Sequence, residues 1–132
     1  MRITADTNVL VRACVADDPG QAAKAVDALA RAEAVAVSPQ SLCEFSWVLA
    51  RAYGVAKSDV AAAIRQLIDT ANVVTDRPAV EAGLAMLEAG GDLADGVIAY
   101  EGRWLGGDVF VSFDRKAVAM LIAQGHGAEL LT

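Results

Sequence analysis

Short β-like runs alternate with longer amphipathic segments along the chain. The β-like runs cover residues 2–5, 35–37, 72–75, 108–113 and 128–131. The segments between them place apolar residues three or four positions apart, which is the spacing of one helix face. Strands separated by helices predict βαβ units. The pattern therefore predicts an α/β fold in three layers, with a small, mainly parallel sheet of four or five strands flanked by helices.

Capping signals predict where the helices begin and end. Ser38 followed by Pro39 is a typical helix start, and Ser58 is the expected N-cap of the next helix. The glycine pairs at 90–91 and 106–107 are typical helix ends. The expected helices cover residues 8–16, 17–31, 38–54, 58 onward, 76–90, 93–105 and 115–124.

Size and composition predict one domain over residues 1–132. Of these residues 55% are hydrophobic and 21% are charged, which excludes an intrinsically disordered chain. The mean hydropathy is +0.40, yet a charge, Gly or Pro interrupts every apolar run within about 18 residues. Asp6 comes too early for the apolar part of a signal peptide. We therefore expect a cytoplasmic protein without a membrane segment.

The net charge at pH 7 is −6. On its own this value argues against a nucleic-acid-binding protein, because such proteins normally carry a basic surface. The argument changes if several of the acids are metal ligands. The positions of the acids therefore matter more than their total.

Other residue types that often carry chemistry have structural interpretations here. Cys14 and Cys43 match no metal-binding spacing and are expected to be small buried residues. Trp47 and Trp104 are expected to be packing residues. The acids are then the main candidates for a functional site.

Two acids directly follow predicted strands. Asp6 comes after the first strand, and Asp114 comes after the fourth. In an open α/β sheet, ligands bind beyond the carboxyl ends of the strands, so both acids are candidates for one site. Each also precedes a helix, and helix N-capping is the alternative interpretation.

Three further acids lie on predicted helices. Asp92 and Asp95 are three residues apart at a helix start and share a face, and Asp92 is a plausible N-cap. Asp95 and Glu44 both have apolar sequence neighbours, where an unpaired carboxylate is costly. For Glu44, an ion pair with Arg51 is an equally supported alternative to cation binding.

Acids that converge repel each other, and a divalent metal ion is the usual remedy. Ligation by oxygen alone favours Mg²⁺ or Mn²⁺. Such a site suits phosphoryl chemistry, in which the metal activates water and stabilises the leaving oxygen.

The ordered motifs of the chain resemble those of the PIN domain. They are Asp6-Thr7-Asn8 after the first strand, Glu44 in a helix, the segment DLADGVIA at 92–99, and Ser112-Phe113-Asp114. More closely, the set resembles the VapC-type toxins of type II toxin–antitoxin pairs. The resemblance implies a Mg²⁺- or Mn²⁺-dependent endoribonuclease that cleaves RNA, inhibits translation and is neutralised by a VapB-type antitoxin. It also implies a homodimer and a toxin–antitoxin hetero-oligomer.

The same resemblance implies roles for individual residues. The expected catalytic and metal-binding acids are Asp6, Glu44, Asp95 and Asp114. Asn8 and Ser112 are expected to be supporting polar residues, and Asp92 an outer acid of the same site.

Two other functions are compatible with parts of the pattern. A catalytically silent PIN-like module that only binds partners is one, although the presence of all four acids speaks against it. A phosphatase with Asp6 as nucleophile is the other, but such enzymes usually have a second Asp two residues later, where this chain has Asn8.

Overall fold

The structure, a computed structural model, describes all residues from 1 to 132 and contains seven helices and five strands. The elements in chain order are β1 (Arg2–Thr4), α1 (Thr7–Cys14), α2 (Pro19–Arg31), β2 (Ala34–Ala36), α3 (Pro39–Ala52), α4 (Lys57–Ile68), β3 (Val73–Val74), α5 (Arg77–Glu88), α6 (Leu93–Trp104), β4 (Val109–Ser112), α7 (Arg115–Ala123) and β5 (Gly127–Leu130). The α/β prediction is confirmed.

All strand pairs are parallel, and ladder hydrogen bonds divide the five strands into two small sheets. One sheet has the order β1-β2-β3, and the other pairs β4 with β5. The chain likewise divides into two compact units, residues Met1–Asp76 and Arg77–Thr132. Each sheet belongs to one unit. The single domain over residues 1–132 stays a prediction.

In the first unit, helices connect each strand to the next strand of the sheet. Ile3 of β1 is in register with Val35 of β2, and Val35 in turn with Val73 of β3. Helix α1 packs against α2 and α3, and α3 packs against α4. The buried side chains include Val35, Val37, Leu42, Leu49 and Ile64. These apolar positions of strands and helices form the core of this unit.

Of the helix starts predicted at Ser38 and Ser58, only the first is confirmed, and α2 is capped by Asp18. The Ser38 side chain accepts a hydrogen bond from the Ser41 N–H, and Asp18 accepts one from Gln21. The prediction for Ser58 is wrong, because α4 begins at Lys57 with Ala56 in the N-cap position. The Ala56 carbonyl accepts the first helical hydrogen bonds, so Ser58 already lies inside the first turn.

The second unit combines the α5–α6 pair with the β4-α7-β5 unit. Along β4 the side chains alternate, so that Phe110 packs against the core while Val109 and Val111 are exposed. The core contains Met86, Ala99, Ala117 and Leu121, with Phe110, Met120 and Ala128 packed beside them. Helix α7 covers the inner face of its sheet, as expected for a βαβ unit.

Some large side chains that were expected to be buried are at the surface. Trp47 is 63% exposed and Trp104 is 77% exposed, so the prediction that both are packing residues is wrong. Cys14 is also exposed, and Cys43 is half-buried. The Trp47 ring lies on the outer face of α3, where the Arg51 guanidinium stands over it at 5.7 Å from the ring centroid. None of the seven helices has the length and hydrophobicity that a membrane-spanning helix requires.

Helices α5 and α6 approach each other closely at two glycines. A Cβ atom on Gly96 would overlap the carbonyl oxygen of Ala82 and lie 2.8 Å from the Cα of Gly83. A Cβ on Gly83 would lie 2.8 Å from the Val97 side chain. The backbones can meet at this distance only because neither residue has a side chain.

We predict that Gly96→Ala destabilises the protein, because the new methyl group meets backbone atoms that cannot rotate away. The expected loss in the free energy of unfolding is about 1–3 kcal/mol or more. Gly102→Ala in the same helix is the matched control, since a Cβ there meets no atom within 4 Å. This control should gain about 0.5–1 kcal/mol from helix propensity. Urea unfolding of both variants tests the prediction, and equal stabilities would contradict it.

Candidate functional site

The junction of β1 and α1 places the first acid. Ala5 is buried after the strand, and the exposed Asp6 is the N-cap of α1, where its Oδ1 accepts a hydrogen bond of 2.9 Å from the Thr7 N–H. The capping interpretation therefore holds for Asp6. A carboxylate has about four acceptor positions, so this bond leaves most of them available to a cation.

Glu44 of α3 is tied to this junction by a hydrogen bond. The Thr7 Oγ1 donates to the Glu44 Oε2 at 2.8 Å, and the Thr7 side chain is almost fully buried. Glu44 itself is exposed, so its apolar sequence neighbours lie on other faces of α3. The alternative ion pair between Glu44 and Arg51 does not form, because Arg51 stands over Trp47 instead.

Thr7 is a site residue that the sequence analysis missed. Its hydroxyl orients the Glu44 carboxylate, and its backbone N–H orients that of Asp6. A hydroxyl at the first position of a helix, directly after a candidate acid, was a visible signal. Its partner is 37 residues away in sequence, however, and only the packing of α1 against α3 brings the two together.

In the second unit, the junction of β4 and α7 repeats the capping arrangement. The Asp114 Oδ1 accepts a hydrogen bond of 3.0 Å from the Ala117 N–H and so caps α7. The Ser112 Oγ accepts a hydrogen bond of 2.9 Å from the Asp114 N–H. Ser112 therefore orders the backbone that carries the acid, and capping again occupies only part of the carboxylate.

Asp95 carries a carboxyl whose charged form the fold destabilises. It lies half-buried in the first turn of α6. Burial raises the pKa of its carboxyl, and repulsion from Asp92 and then from Asp114 raises this pKa further. Negative charge is normally favoured at a helix N-terminus, but here burial and repulsion outweigh that effect. Asp92 occupies the N-cap position of α6 without a side-chain capping bond, so its expected capping role is wrong.

The acids fit a hard divalent cation by their donor chemistry. Asp6 and Glu44 in the first unit, and Asp92, Asp95 and Asp114 in the second, offer carboxylate oxygen atoms only, which is the ligand type of Mg²⁺ and Mn²⁺. Within neither unit are three His, Cys, Asp or Glu side chains grouped closely enough to hold a metal ion. Asn8, the expected supporting polar residue, is exposed on α1 one residue after Thr7.

We predict that Asp95 makes metal-free stability fall as the pH rises. Its folded pKa lies above the ordinary value of 3.8, so the folded state binds more protons than the unfolded state. Stability is then lost from about pH 3.8 up to the folded pKa. Asp95→Asn should remove this loss and raise the melting temperature at pH 7 in EDTA. Glu101→Gln, an exposed acid on the same helix, should have little effect.

Thermal melts between pH 3 and pH 8 test this prediction directly. A lower melting temperature for Asp95→Asn than for the wild type at pH 7 in EDTA would contradict it, because it would show that the carboxylate is stabilised by the fold rather than repelled.

A comparison with protein families matches residues 3–120 to the PIN domain. A search of curated proteins finds no match to the chain. The match covers most of the chain and includes every acid described above, together with Asn8 and Ser112. PIN domains are generally nucleases, and they usually use divalent metals. An α/β fold with capped acids at two strand ends, matched over this length, means that the chain belongs to the PIN domain family.

Proposed function

We propose that this protein is a cytoplasmic, Mg²⁺-dependent endoribonuclease, with Mn²⁺ as a possible substitute. The observation that carries the proposal is the half-buried carboxyl of Asp95, which burial, Asp92 and Asp114 all destabilise in its charged form. A fold that keeps a costly carboxylate usually keeps it for function. In a family of nucleases that usually use divalent metals, cation binding is the function that explains this cost.

In this proposal, the metal-binding and catalytic acids are Asp6, Glu44, Asp95 and Asp114. A bound Mg²⁺ would supply charge stabilisation for phosphodiester hydrolysis and lower the pKa of water. The protein holds the acids in place beforehand: two of them are fixed as helix N-caps, and Thr7 orients Glu44. This preorganisation lowers the entropy cost of binding a cation.

The remaining polar residues of the proposed site have supporting roles. Ser112 orders the Asp114 backbone through its hydroxyl, and Asn8 presents an exposed amide one residue after Thr7. Asp92 adds negative charge near Asp95 without being fixed as a cap, which suits an outer acid that attracts the cation.

The biological part of the proposal is that the nuclease is a VapC-type toxin that cleaves RNA and inhibits translation. It rests on the resemblance of the ordered motifs to that subfamily. The same resemblance supports a homodimer and a hetero-oligomer with a VapB-type antitoxin, in which an Arg of the antitoxin pairs with the acids.

An apolar groove in the first unit supports the antitoxin part of the proposal. The groove has a volume of about 400 Å³ and lies among α1, α2, α3 and α4. Its lining includes Leu10, Val26, Leu29, Phe45 and Leu67. A second hollow of about 240 Å³ shares Val26, Leu29 and Leu67 with it. The resemblance to VapC-type toxins implies that a segment of the antitoxin lies across the helices of residues 44–67. The groove offers an apolar contact surface to such a segment.

We predict that Asp95→Asn reduces RNA cleavage by more than about 100-fold, because a metal ligand should matter at least as much as the outer residues around a metal. EDTA should abolish wild-type cleavage, and Mg²⁺ or Mn²⁺ should restore it. Glu101→Gln should cleave like the wild type, since it removes an exposed carboxylate from the same helix. Cleavage of labelled single-stranded RNA, followed on denaturing gels, is the measurement.

The same assay separates the other two functions. Full cleavage in EDTA would contradict the metal mechanism. Partner binding without cleavage in any metal would support the silent interaction module. Phosphate release from a monoester, with no RNA cleavage, would support a phosphatase.

We predict that Val26→Glu weakens antitoxin binding by at least about tenfold, because it places a charge on the wall of an apolar groove. Val26 is 51% exposed, so the variant should fold. Ile122→Glu is the matched control, since Ile122 is a similarly exposed (55%) helical residue outside the groove. Coexpression with the neighbouring gene, followed by copurification, is the measurement. Equal copurification of both variants would contradict this placement of the antitoxin.

A further inference from the structure

A second groove, of different chemistry, lies between α1 and α2. It has a volume of about 510 Å³. Its lining residues are Asn8, Val9 and Arg12 of α1 and Gln21, Lys24, Ala25 and Ala28 of α2. Two cations and two amides thus line one groove, and no acid does. In a chain with a net charge of −6, this is a local cationic surface.

Arg12 is held in place from outside the groove. Its guanidinium forms an ion pair of 2.9 Å with the Asp17 Oδ1, and the Tyr53 hydroxyl donates to the Asp17 Oδ2 at 2.8 Å. The hydrogen bond from Tyr53, together with the charge of Arg12, lowers the pKa of Asp17. Asp17 therefore stays ionised at neutral pH. A guanidinium has five N–H donors, so this ion pair orients Arg12 and leaves donors for a second anion.

Lys24 is the second cation of the groove. Its side chain is exposed and forms no ion pair in the structure. Gln21 and Lys24 are three residues apart and share a face of α2, while the small side chains of Ala25 and Ala28 leave room beside them. The groove is therefore open and carries a charge that no protein group neutralises.

The groove shares one residue, Asn8, with the proposed site. Asn8 lines it, and Asn8 directly follows Thr7, whose hydroxyl binds Glu44. Asp6 caps the same helix. Arg12 lies one helical turn beyond Asn8, which is about 5.4 Å along the axis. An extended polyanion in this groove would thus contact Asn8, two residues after Asp6.

We propose that the α1–α2 groove binds the phosphate backbone of single-stranded RNA next to the bond that is cleaved. Arg12 and Lys24 contact phosphates, and the amides of Asn8 and Gln21 donate to phosphate or 2′-hydroxyl oxygens. This inference rests on the proposed nuclease function and adds to it the surface that holds the substrate. It also places the positive charge of Lys24, which no acid pairs, where the strand would pass.

The test compares Lys24→Gln with Arg2→Gln, each of which removes one positive charge from the first unit. Arg2 is exposed at the start of β1, the opposite end of the strand from Asp6. With a single-stranded RNA oligonucleotide and Mg²⁺, Lys24→Gln should raise KM by about fivefold and leave kcat unchanged. It should also reduce the slope of log KM against log salt concentration by about 0.7, the value for one lost phosphate contact. Arg2→Gln should change neither quantity.

A binding experiment separates failure of this inference from failure of the nuclease proposal. RNA binding is measured by fluorescence anisotropy in EDTA, in wild type and both variants. If the wild type cleaves RNA but Lys24→Gln and Arg2→Gln behave alike, the groove assignment is wrong and the nuclease proposal stands. If the wild type does not cleave RNA, the nuclease proposal fails, and a smaller salt slope for Lys24→Gln than for Arg2→Gln in binding still supports the groove. Loss of antitoxin copurification in Lys24→Gln with unchanged RNA binding would overturn the assignment in favour of a protein partner.

Discussion

The close approach of α5 and α6 is the constraint that positions the first turn of α6, which carries the half-buried Asp95. Gly96 has no side chain, so its backbone can lie against Ala82 and Gly83. Asp95 directly precedes Gly96 in the first turn of α6 and is half-buried there. Burial is the largest cause of the raised pKa of Asp95. The half-buried carboxyl lies in a segment whose position is determined by the packing of α5 against α6. A glycine contact that looks purely structural therefore lies directly beside the proposed catalytic acid.

Capping and cation binding are compatible interpretations of the same acids. Asp6 and Asp114 each accept a backbone hydrogen bond at the start of a helix, as the structural interpretation requires. Each hydrogen bond uses only one oxygen of the carboxylate. The same bond also fixes the orientation of the second oxygen. Asp95 differs because no capping bond compensates for its burial and for the repulsion from its neighbours. This difference is why stability measured without metal distinguishes Asp95 from the two capping acids.

The distribution of charge is compatible with the proposed action of this acidic protein on a polyanion. The total of −6 includes acids at the proposed site, where a divalent metal would offset part of their charge. The two cations of the α1–α2 groove, Arg12 and Lys24, lie beyond Asn8 along the groove. Asp17 holds Arg12 in place through an ion pair. In the proposed complex, attraction of the RNA backbone needs only a local positive field, and this field weakens with salt.

The sequence by itself determined the order of the strands and helices and the positions of the acids at strand ends, because periodicity, capping residues and glycines act within a few residues of chain. It also carried the ordered motifs that identify the family, and residues 3–120 match it. Tertiary structure alone decided which side chains meet across the chain. It gave Glu44 the partner Thr7 rather than Arg51, left Trp47 at the surface, and joined α1 and α2 into a cationic groove. These outcomes depend on which helix faces pack together. The hydrophobic pattern of one helix does not encode which helix packs against it, because the apolar residues of one face can pack against several different helices.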